Sequence, residues 1–123
     1  MFDNLGKKLW LIPDCELPRA GEGELKGHES VIIVNDTDKD AEIDVTIYFT
    51  DKDPVYGIKW TVGAGRVKCF RMNNTEDMCG VVIPLETQYA MKVKSNRNIV
   101  LQYGRLDNRQ VNLAYYTTLG YCE

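Results

Sequence analysis

The sequence predicts an all-β fold, a β-sandwich or jelly-roll-like domain of about eight or nine short antiparallel strands. Apolar and polar residues alternate with a period of two along much of the chain, which is the periodicity of a half-buried strand. Turn-forming residues recur at short spacing between these segments. No stretch has convincing helical periodicity, and the one loose helix candidate lies around Asp107 to Leu113.

The clearest predicted strand is Ala41 to Thr50, in which apolar residues alternate with polar ones. A nearly continuous apolar run, Ser30 to Val34, precedes it. Six turn-forming residues, Asn35 to Asp40, separate the two segments. This combination predicts a hairpin.

The other predicted strands are shorter or less regular. They are Leu9 to Ile12, Ile58 to Val62, Val67 to Met72, Val81 to Ile83, Tyr89 to Lys94, Ile99 to Leu106 and Leu113 to Tyr121. We expect turns at Gly63-Ala64-Gly65 and at Ser95 to Asn98, the second of which would separate two strands. Pro13 to Gly27 is rich in Gly and Pro and is predicted to be an irregular surface excursion.

The length and charge of the chain narrow the class of protein. A length of 123 residues predicts a single domain spanning 1–123. The net charge of -3 argues against nucleic-acid binding through bulk positive charge. The opening segment Met1 to Lys8 is mixed and polar rather than a charged-then-apolar leader, so we expect a cytoplasmic protein.

The cysteine pattern does not indicate a metal centre. The four cysteines include no C-x-x-C pair, and His28 is the single histidine. We therefore expect free, mostly buried thiols, no metal and no cofactor. The Asp36, Asp38 and Asp40 series resembles the start of a calcium loop, but the Gly and Glu that such a loop needs later are missing.

A charged row ends the late apolar run Ile99 to Tyr103. Arg105, Asp107 and Arg109 would share one face of an extended segment. Such a row could bind a sugar, a carboxylate or a phosphate through the planar donors of arginine. It could equally be a buried ion network or a subunit contact, and we favour this second interpretation.

Several other residues are ligand-binding or interface candidates. Glu29 could orient the imidazole of His28, although no nucleophile stands in a recognisable catalytic arrangement around them, so we expect no catalytic residues. Tyr48 lies on the polar face of its strand and could stack on a sugar ring. The remaining candidates are Asp51 and Asp53 after that strand, and Gln102 within the late apolar run.

Four segments of the chain resemble one known family. They are Trp10-Leu11-Ile12, Gly27-His28-Glu29-Ser30, Ile47 to Val55, and Ile99 to Gln110 with its Arg105-Leu106-Asp107-Asn108-Arg109-Gln110 ending. In this order they resemble the soluble sensory rhodopsin transducer family, first known from a cyanobacterium. The chain departs from the family pattern over Thr75 to Val82 and at Gly63-Ala64-Gly65-Arg66, where glycines stand in place of an expected proline and second basic residue. The loss of this basic residue weakens any DNA-binding role that the resemblance could imply.

The resemblance implies an all-β sandwich that forms a cytoplasmic homotetramer and binds the cytoplasmic side of a membrane photoreceptor. It also implies similarity to carbohydrate-binding sandwiches. The expected function is that of a non-enzymatic, oligomeric signalling protein that binds a partner protein or a small polar ligand. The alternatives are a carbohydrate- or sugar-acid-binding accessory module unrelated to light signalling and, less favoured, a DNA-binding regulator.

Overall fold

The computed structural model describes residues 5–21, 24–110 and 112–123. Over these ranges the chain forms antiparallel strands and no helix. The strands are β1 (Lys7–Glu16), β2 (His28–Asn35), β3 (Ala41–Phe49), β4 (Val55–Val62), β5 (Arg66–Arg71), β6 (Gln88–Asp107), β7 (Ala114–Thr118) and β8 (Tyr121–Cys122). The predicted all-β class is confirmed.

Strand β6 joins two sheets. Its first half pairs with β1 and β3, which gives a first sheet in the order β4-β3-β6-β1-β8. Its second half pairs with β2 and β7, which gives a second sheet in the order β5-β2-β6-β7. The two sheets face each other, and their inward residues form one hydrophobic core cluster.

An aromatic stack crosses the interior between the two sheets. The rings of Trp60 on β4 and Phe70 on β5 lie 4.1 Å apart between centroids and are nearly parallel, at 7°. The indole nitrogen of Trp60 also donates a hydrogen bond to the carbonyl oxygen of Asp77 at 2.6 Å. The stack therefore ties both sheets to the loop that follows β5.

The predicted turn at Ser95 to Asn98 is wrong, because β6 continues through it. Ser95 is buried on the inward face, and the polar residues that follow it bind the start of β3 and the loop before β3 instead of reversing the chain. Asn96 accepts a hydrogen bond from the backbone nitrogen of Glu42 at 2.8 Å, and Arg97 pairs with Asp38 at 3.2 Å. These polar residues lie where β6 passes from one sheet to the other.

The predicted strand Val81 to Ile83 is also wrong. The preceding residues 75–80 form turns, and the side chain of Asn74 accepts hydrogen bonds from the backbone nitrogens of Glu76 and Asp77 at 2.9 and 3.1 Å. Ile83 nevertheless reaches the core. An apolar run can thus fill the core without any strand to pair with.

Three further boundaries differ from the prediction. The segment Leu113 to Tyr121 is divided between β7 and β8, which belong to different sheets. The described residues around 107–113 are not helical, because β6 ends at Asp107 and the described residues after it form bends and irregular backbone. Strand β1 extends past Pro13 through a bulge between Ile12 and Cys15, so the irregular excursion begins later than expected.

The cysteines are all free, as expected, but their burial differs from the prediction. Cys15 is buried, Cys122 is half-buried, and Cys69 and Cys79 are exposed. The expectation of mostly buried thiols was therefore wrong, because Cys69 points outward from β5 and Cys79 lies in the loop after it.

The buried side chain of Asn35 holds two turns together. Its amide nitrogen donates to the carbonyl oxygens of Lys39 at 2.8 Å, Val62 at 3.0 Å and Gly63 at 3.2 Å. Its amide oxygen accepts from the backbone nitrogen and the hydroxyl of Thr37, at 3.0 and 2.7 Å. The connection between β2 and β3 and the β4–β5 turn therefore depend on one amide. The predicted hairpin of Ser30 to Val34 with Ala41 to Thr50 is wrong, because β2 and β3 pair with other strands and belong to different sheets. The turn-forming residues between them carry the chain from one sheet to the other.

We expect Asn35→Asp to lower the free energy of unfolding by about 3 kcal/mol, because a carboxylate would turn acceptor oxygens toward carbonyl oxygens in a buried place. Urea denaturation followed by circular dichroism measures this. The matched control is Asp36→Asn at the exposed neighbouring position, which should change the stability little. Equal stability of the two variants would contradict the role given to Asn35.

Candidate functional site

A fully buried carboxylate lies at one end of the interior between the sheets. Glu29 has no exposed surface and lies on the inward face of β2, in line with Val31 and Ile33. Its Oε1 accepts a hydrogen bond from the hydroxyl of Tyr89 at 2.7 Å. Its Oε2 accepts from the backbone nitrogen of Glu16 at 2.9 Å and from the hydroxyl of Tyr103.

The sheet register brings these donors together. Glu29 pairs with Arg105 across β2 and β6, and Val31 pairs with Tyr103. Tyr89 comes from the first half of the same long strand, where it pairs with Phe49. Because β6 passes from one sheet to the other, it approaches the carboxylate with a tyrosine from each half.

Arg105 connects this buried cluster to the surface. Its Nη1 donates to the carbonyl oxygen of Glu16 at 3.1 Å, and its Nε and Nη2 donate to the hydroxyl of Tyr116 at 3.1 and 2.6 Å. The guanidinium carbon lies 5.2 Å from the centre of the Tyr116 ring. The cluster of Glu16, Glu29, Tyr89, Tyr103 and Arg105 is called the Glu29 cluster below.

The charged row predicted from the sequence divides into two parts. Asp107 pairs with Arg109, and the distance between Asp107 Oδ2 and Arg109 Nη2 is 2.5 Å. The donors of Arg105 are directed instead to Tyr116 and Glu16. Arg109 also lies 3.4 Å from a carboxylate oxygen of Glu16. The hydrogen bond from Arg109 holds the pKa of Asp107 below its ordinary value.

Sequence reasoning missed Glu86, which completes this second part. Its carboxylate pairs with Arg19 at 3.0 Å and with Arg109 at 3.5 Å. Its backbone has φ of 52°, an uncommon value for a residue with a side chain, and its nitrogen donates to the carbonyl oxygen of Leu17 at 2.8 Å. Glu86 lies in a loop without periodicity, so no spacing in the sequence pointed to it.

Sequence reasoning also missed Asn108, which lies between Asp107 and Arg109 of the predicted row. It is buried, its side-chain oxygen accepts a hydrogen bond from the backbone nitrogen of Gly21 at 3.0 Å, and its side-chain nitrogen donates to the carbonyl oxygen of Leu25. A Cβ atom at Gly21 would lie 1.9 Å from the carbonyl oxygen of Asn108. Glycine is therefore required for the loop after β1 to pack against this end of the sandwich.

Burial controls the electrostatics of the Glu29 cluster. Desolvation raises the pKa of Glu29, and the hydrogen bonds from Tyr89 and from the backbone of Glu16 oppose that rise. Desolvation, followed by the neighbouring Glu29 carboxylate, raises the pKa of the Tyr89 hydroxyl. Burial and the same carboxylate raise the pKa of the Cys15 thiol, which argues against a reactive thiolate at this position.

His28 does not share a site with Glu29, although the two are adjacent in sequence. Successive side chains of a strand point to opposite faces. The Nδ1 atom of His28 lies 2.9 Å from the carbonyl oxygen of Lys26, away from the buried carboxylate. Glu29 therefore does not orient the imidazole.

The other predicted candidates lie apart from the Glu29 cluster. Asp51 and Asp53 are exposed in the loop between β3 and β4, and Gln102 is exposed on β6 opposite Ile32. Tyr48 lies on the outer face of the first sheet, beside a groove of about 380 Å³. Of the nine candidates, Glu29, Arg105, Asp107 and Arg109 are brought together by the fold.

The geometry shows what the cluster can and cannot do. The hydrogen-bonded carboxylate and arginine donors are engaged with protein atoms, which is typical of a preformed structural network. Within residues 5–21, 24–110 and 112–123, no group of three or more His, Cys, Asp and Glu side chains converges as a metal ion would require. The same part of the chain has no helix long and apolar enough to cross a membrane.

Glu29→Gln should change the pH dependence of stability. The raised pKa means that the folded state holds the Glu29 proton more tightly than the unfolded chain does. The carboxyl's favourable contribution is thus fully present below its ordinary pKa of 4.5 and is lost as the pH rises through the raised value. Relative to Glu29→Gln, the wild-type free energy of unfolding should therefore fall as the pH rises above 4.5.

Urea denaturation at a series of pH values measures this difference. The control is Glu42→Gln on the exposed outer face of β3, whose stability should follow the wild-type curve in parallel. A difference between wild type and Glu29→Gln that is the same at every pH would contradict the assignment.

Comparison with known proteins confirms the resemblance seen in the sequence. The family model described as Anabaena sensory rhodopsin transducer matches residues 5–122. The structure of Thermotoga maritima 1070 is 30% identical, covers 97% of this chain and 97% of its own, and superposes with a TM-score of 0.87. The Anabaena sensory rhodopsin transducer is 36% identical, covers 79% of this chain and 94% of its own, and has a TM-score of 0.67. No curated protein matches the sequence. The extent of the family match and these two structural relatives show that the chain belongs to the sensory rhodopsin transducer family.

Proposed function

We propose that this protein is a non-enzymatic, homo-oligomeric cytoplasmic signalling protein that binds a partner protein. The observation that carries the proposal is an uncharged, exposed patch on the outer face of the second sheet. Membership of a family named after a rhodopsin transducer supports the signalling role. A membrane photoreceptor is the partner class that this relationship favours.

The outer face of the second sheet has the composition of a protein contact. Its central residues come from four neighbouring strands and carry no charge; they are Ile32, Val34, Val67, Cys69, Gln102 and Tyr115. Val34, Val67 and Tyr115 are 42%, 63% and 61% exposed. Contiguous exposed apolar surface of this kind is typical of an interaction site, and charge depletion is typical of the centre of an interface.

Strand β7 supports the same surface as a contact between copies of the chain. It lies at the edge of the second sheet, pairs with β6, and has all five residues exposed. Its sequence, Ala114 to Thr118, contains no charged residue that would discourage pairing with another strand. A second copy of this chain presents the same uncharged face, so a two-fold contact would be self-complementary.

The Arg109 network is better suited to a structural role than to ligand binding. Its guanidinium already lies against the carboxylates of Asp107, Glu16 and Glu86. An incoming anion would have to displace these groups. These existing ion pairs favour the structural interpretation of the charged row. The uncharged face is therefore the better candidate for the contact between copies.

A change in the centre of that face tests the proposal. Gln102→Lys places a charge beside Ile32 in the uncharged face. Burying this charge at an interface would cost desolvation free energy and would therefore weaken assembly. We expect a smaller mass by light scattering after size exclusion, with an unchanged circular dichroism spectrum. The control is Thr61→Lys on the exposed edge strand β4, which should leave the mass unchanged.

A wild-type mass equal to one chain, or an unchanged mass for Gln102→Lys, would overturn the assembly part of the proposal. The signalling part has its own test, which is saturable binding to the Anabaena sensory rhodopsin in detergent. Binding that is absent at micromolar concentration would favour the alternative of a ligand-binding accessory module.

The carbohydrate-binding alternative would use Tyr48 as a stacking ring in addition to the charged row, and the surroundings of Tyr48 do not suit a sugar. Leu9, Leu11, Pro13 and Ala90 line much of the groove beside Tyr48, so Lys92 and Glu123 are the main hydrogen-bonding partners that its lining offers to sugar hydroxyls. Recognition of a sugar would need several such partners. An apolar ligand body fits this groove better.

A further inference from the structure

The outer face of the first sheet carries a groove that is separate from the Glu29 cluster and from the uncharged face of the second sheet. Its volume is about 380 Å³, which is within the range of small-molecule sites. Apolar residues from β1 and β6 form its floor, and tyrosines from β3 and β8 stand beside it; they are Leu9, Leu11, Ala90, Tyr48 and Tyr121.

Small residues give the groove its shape. Ala90 pairs with Tyr48 across β6 and β3, so a methyl group lies next to a large ring and leaves a depression. On the other side, a Cβ atom at Gly120 would lie 2.7 Å from the carbonyl oxygen of Leu11. The missing side chain allows β8 to lie close against β1 and to place Tyr121 beside the floor.

Among the residues that the structure describes, Lys92 is the cation that lines this groove. It is half-buried between Thr46 and Leu11 in the sheet register, with its Nζ 6.0 Å from the centre of the Tyr48 ring. No ion pair of Lys92 forms within the described residues. The carboxylate of Glu123, which also lines the groove, accepts a hydrogen bond from the Tyr121 hydroxyl at 2.6 Å.

The depression continues past Tyr48. A neighbouring hollow of about 260 Å³ shares Pro13, Tyr48 and Ala90 with the groove and extends to Gln88. Residues two apart on one face of a strand are separated by about 6.7 Å, so the distance from Lys92 to Gln88 along β6 is roughly 13 Å. The whole site is therefore elongated, with a cation near one end and an amide near the other.

We propose that this groove binds a small carboxylate with a flat, apolar body. The carboxylate pairs with the ammonium group of Lys92, and the body lies on Ala90 and Leu11 against the ring of Tyr48. An ion pair in a partly desolvated site is stronger than one in open water, and the ring offers a surface for stacking. This inference goes beyond the proposed function, and it concerns the opposite sheet.

Binding of 3-phenylpropionate, a carboxylate with one flat ring, tests the proposal by isothermal titration calorimetry and by chemical shift changes in a ¹⁵N-labelled sample. We expect saturable binding with a Kd of about 1 mM or tighter. The neutral analogue 3-phenylpropanol should bind at least about fivefold more weakly, since it lacks the charge that pairs with Lys92. Shift changes should concentrate on Lys92, Ala90 and Tyr48.

Two lysines on one strand give a matched pair of variants. Lys92→Gln should weaken 3-phenylpropionate binding about five- to tenfold, whereas Lys94→Gln, exposed on the same face of β6, should leave it unchanged. Ala90→Phe should fill the groove and abolish binding, with an unchanged circular dichroism spectrum.

Absence of saturable binding, equal binding of the alcohol and the acid, or equal effects of the two lysine variants would overturn the proposal. A change of oligomeric mass in Lys92→Gln would also overturn it, because the groove would then be covered by a second copy. Failure of the assembly test on Gln102 leaves this result unaffected, so the two proposals can fail separately.

Discussion

Strand β6 holds the whole sandwich together, because it belongs to both sheets and pairs with β1, β2, β3 and β7. A strand that passes from one sheet to the other keeps its period of two, so its odd-numbered residues remain inward. Tyr89 and Tyr103 therefore reach the same buried carboxylate from different sheets. The outward residues of the same strand include Lys92 in the groove and Gln102 on the uncharged face. One element thus contributes to the core, the polar cluster and both candidate contact surfaces.

The Glu29 cluster shows how a charged group is accommodated in a small sandwich. Removing a carboxylate from water costs several kcal/mol, and hydrogen bonds from Tyr89, Tyr103 and the backbone of Glu16 offset part of that cost. The cluster lies where the core face of β6 continues into Arg105. The side chain of Arg105 extends from the interior to Tyr116 at the surface. The polar end of the sandwich is consequently held by an internal network whose donors and acceptors are engaged with protein atoms.

Much of the fold could be predicted from local pattern, and most errors arose where partners are distant in sequence. The alternation from Ala41 onward identified β3 because one face of that strand packs on the core and the other meets solvent. The residues Ser95 to Asn98 favour turns and therefore predict one, yet the chain there is held extended by contacts to Glu42 and Asp38. In the candidate site, the spacing of Arg105, Asp107 and Arg109 was informative since residues two apart share a face. Glu16 and Glu86 could not be inferred, because their approach depends on the packing of β1 and of a loop against β6.

Side-chain alternation and turn chemistry are properties of short segments, so they were enough to predict the strand class, the positions of most strands and the presence of an arginine-rich polar row. Tertiary packing, in contrast, selects the carboxylate that is buried, the acid that pairs with each arginine, and the faces that remain uncharged or grooved. These depend on the register between strands far apart in the chain, as between Glu29 and Arg105. Register is set by the packing of whole faces, and a one-residue shift would exchange the buried and exposed sides of a strand.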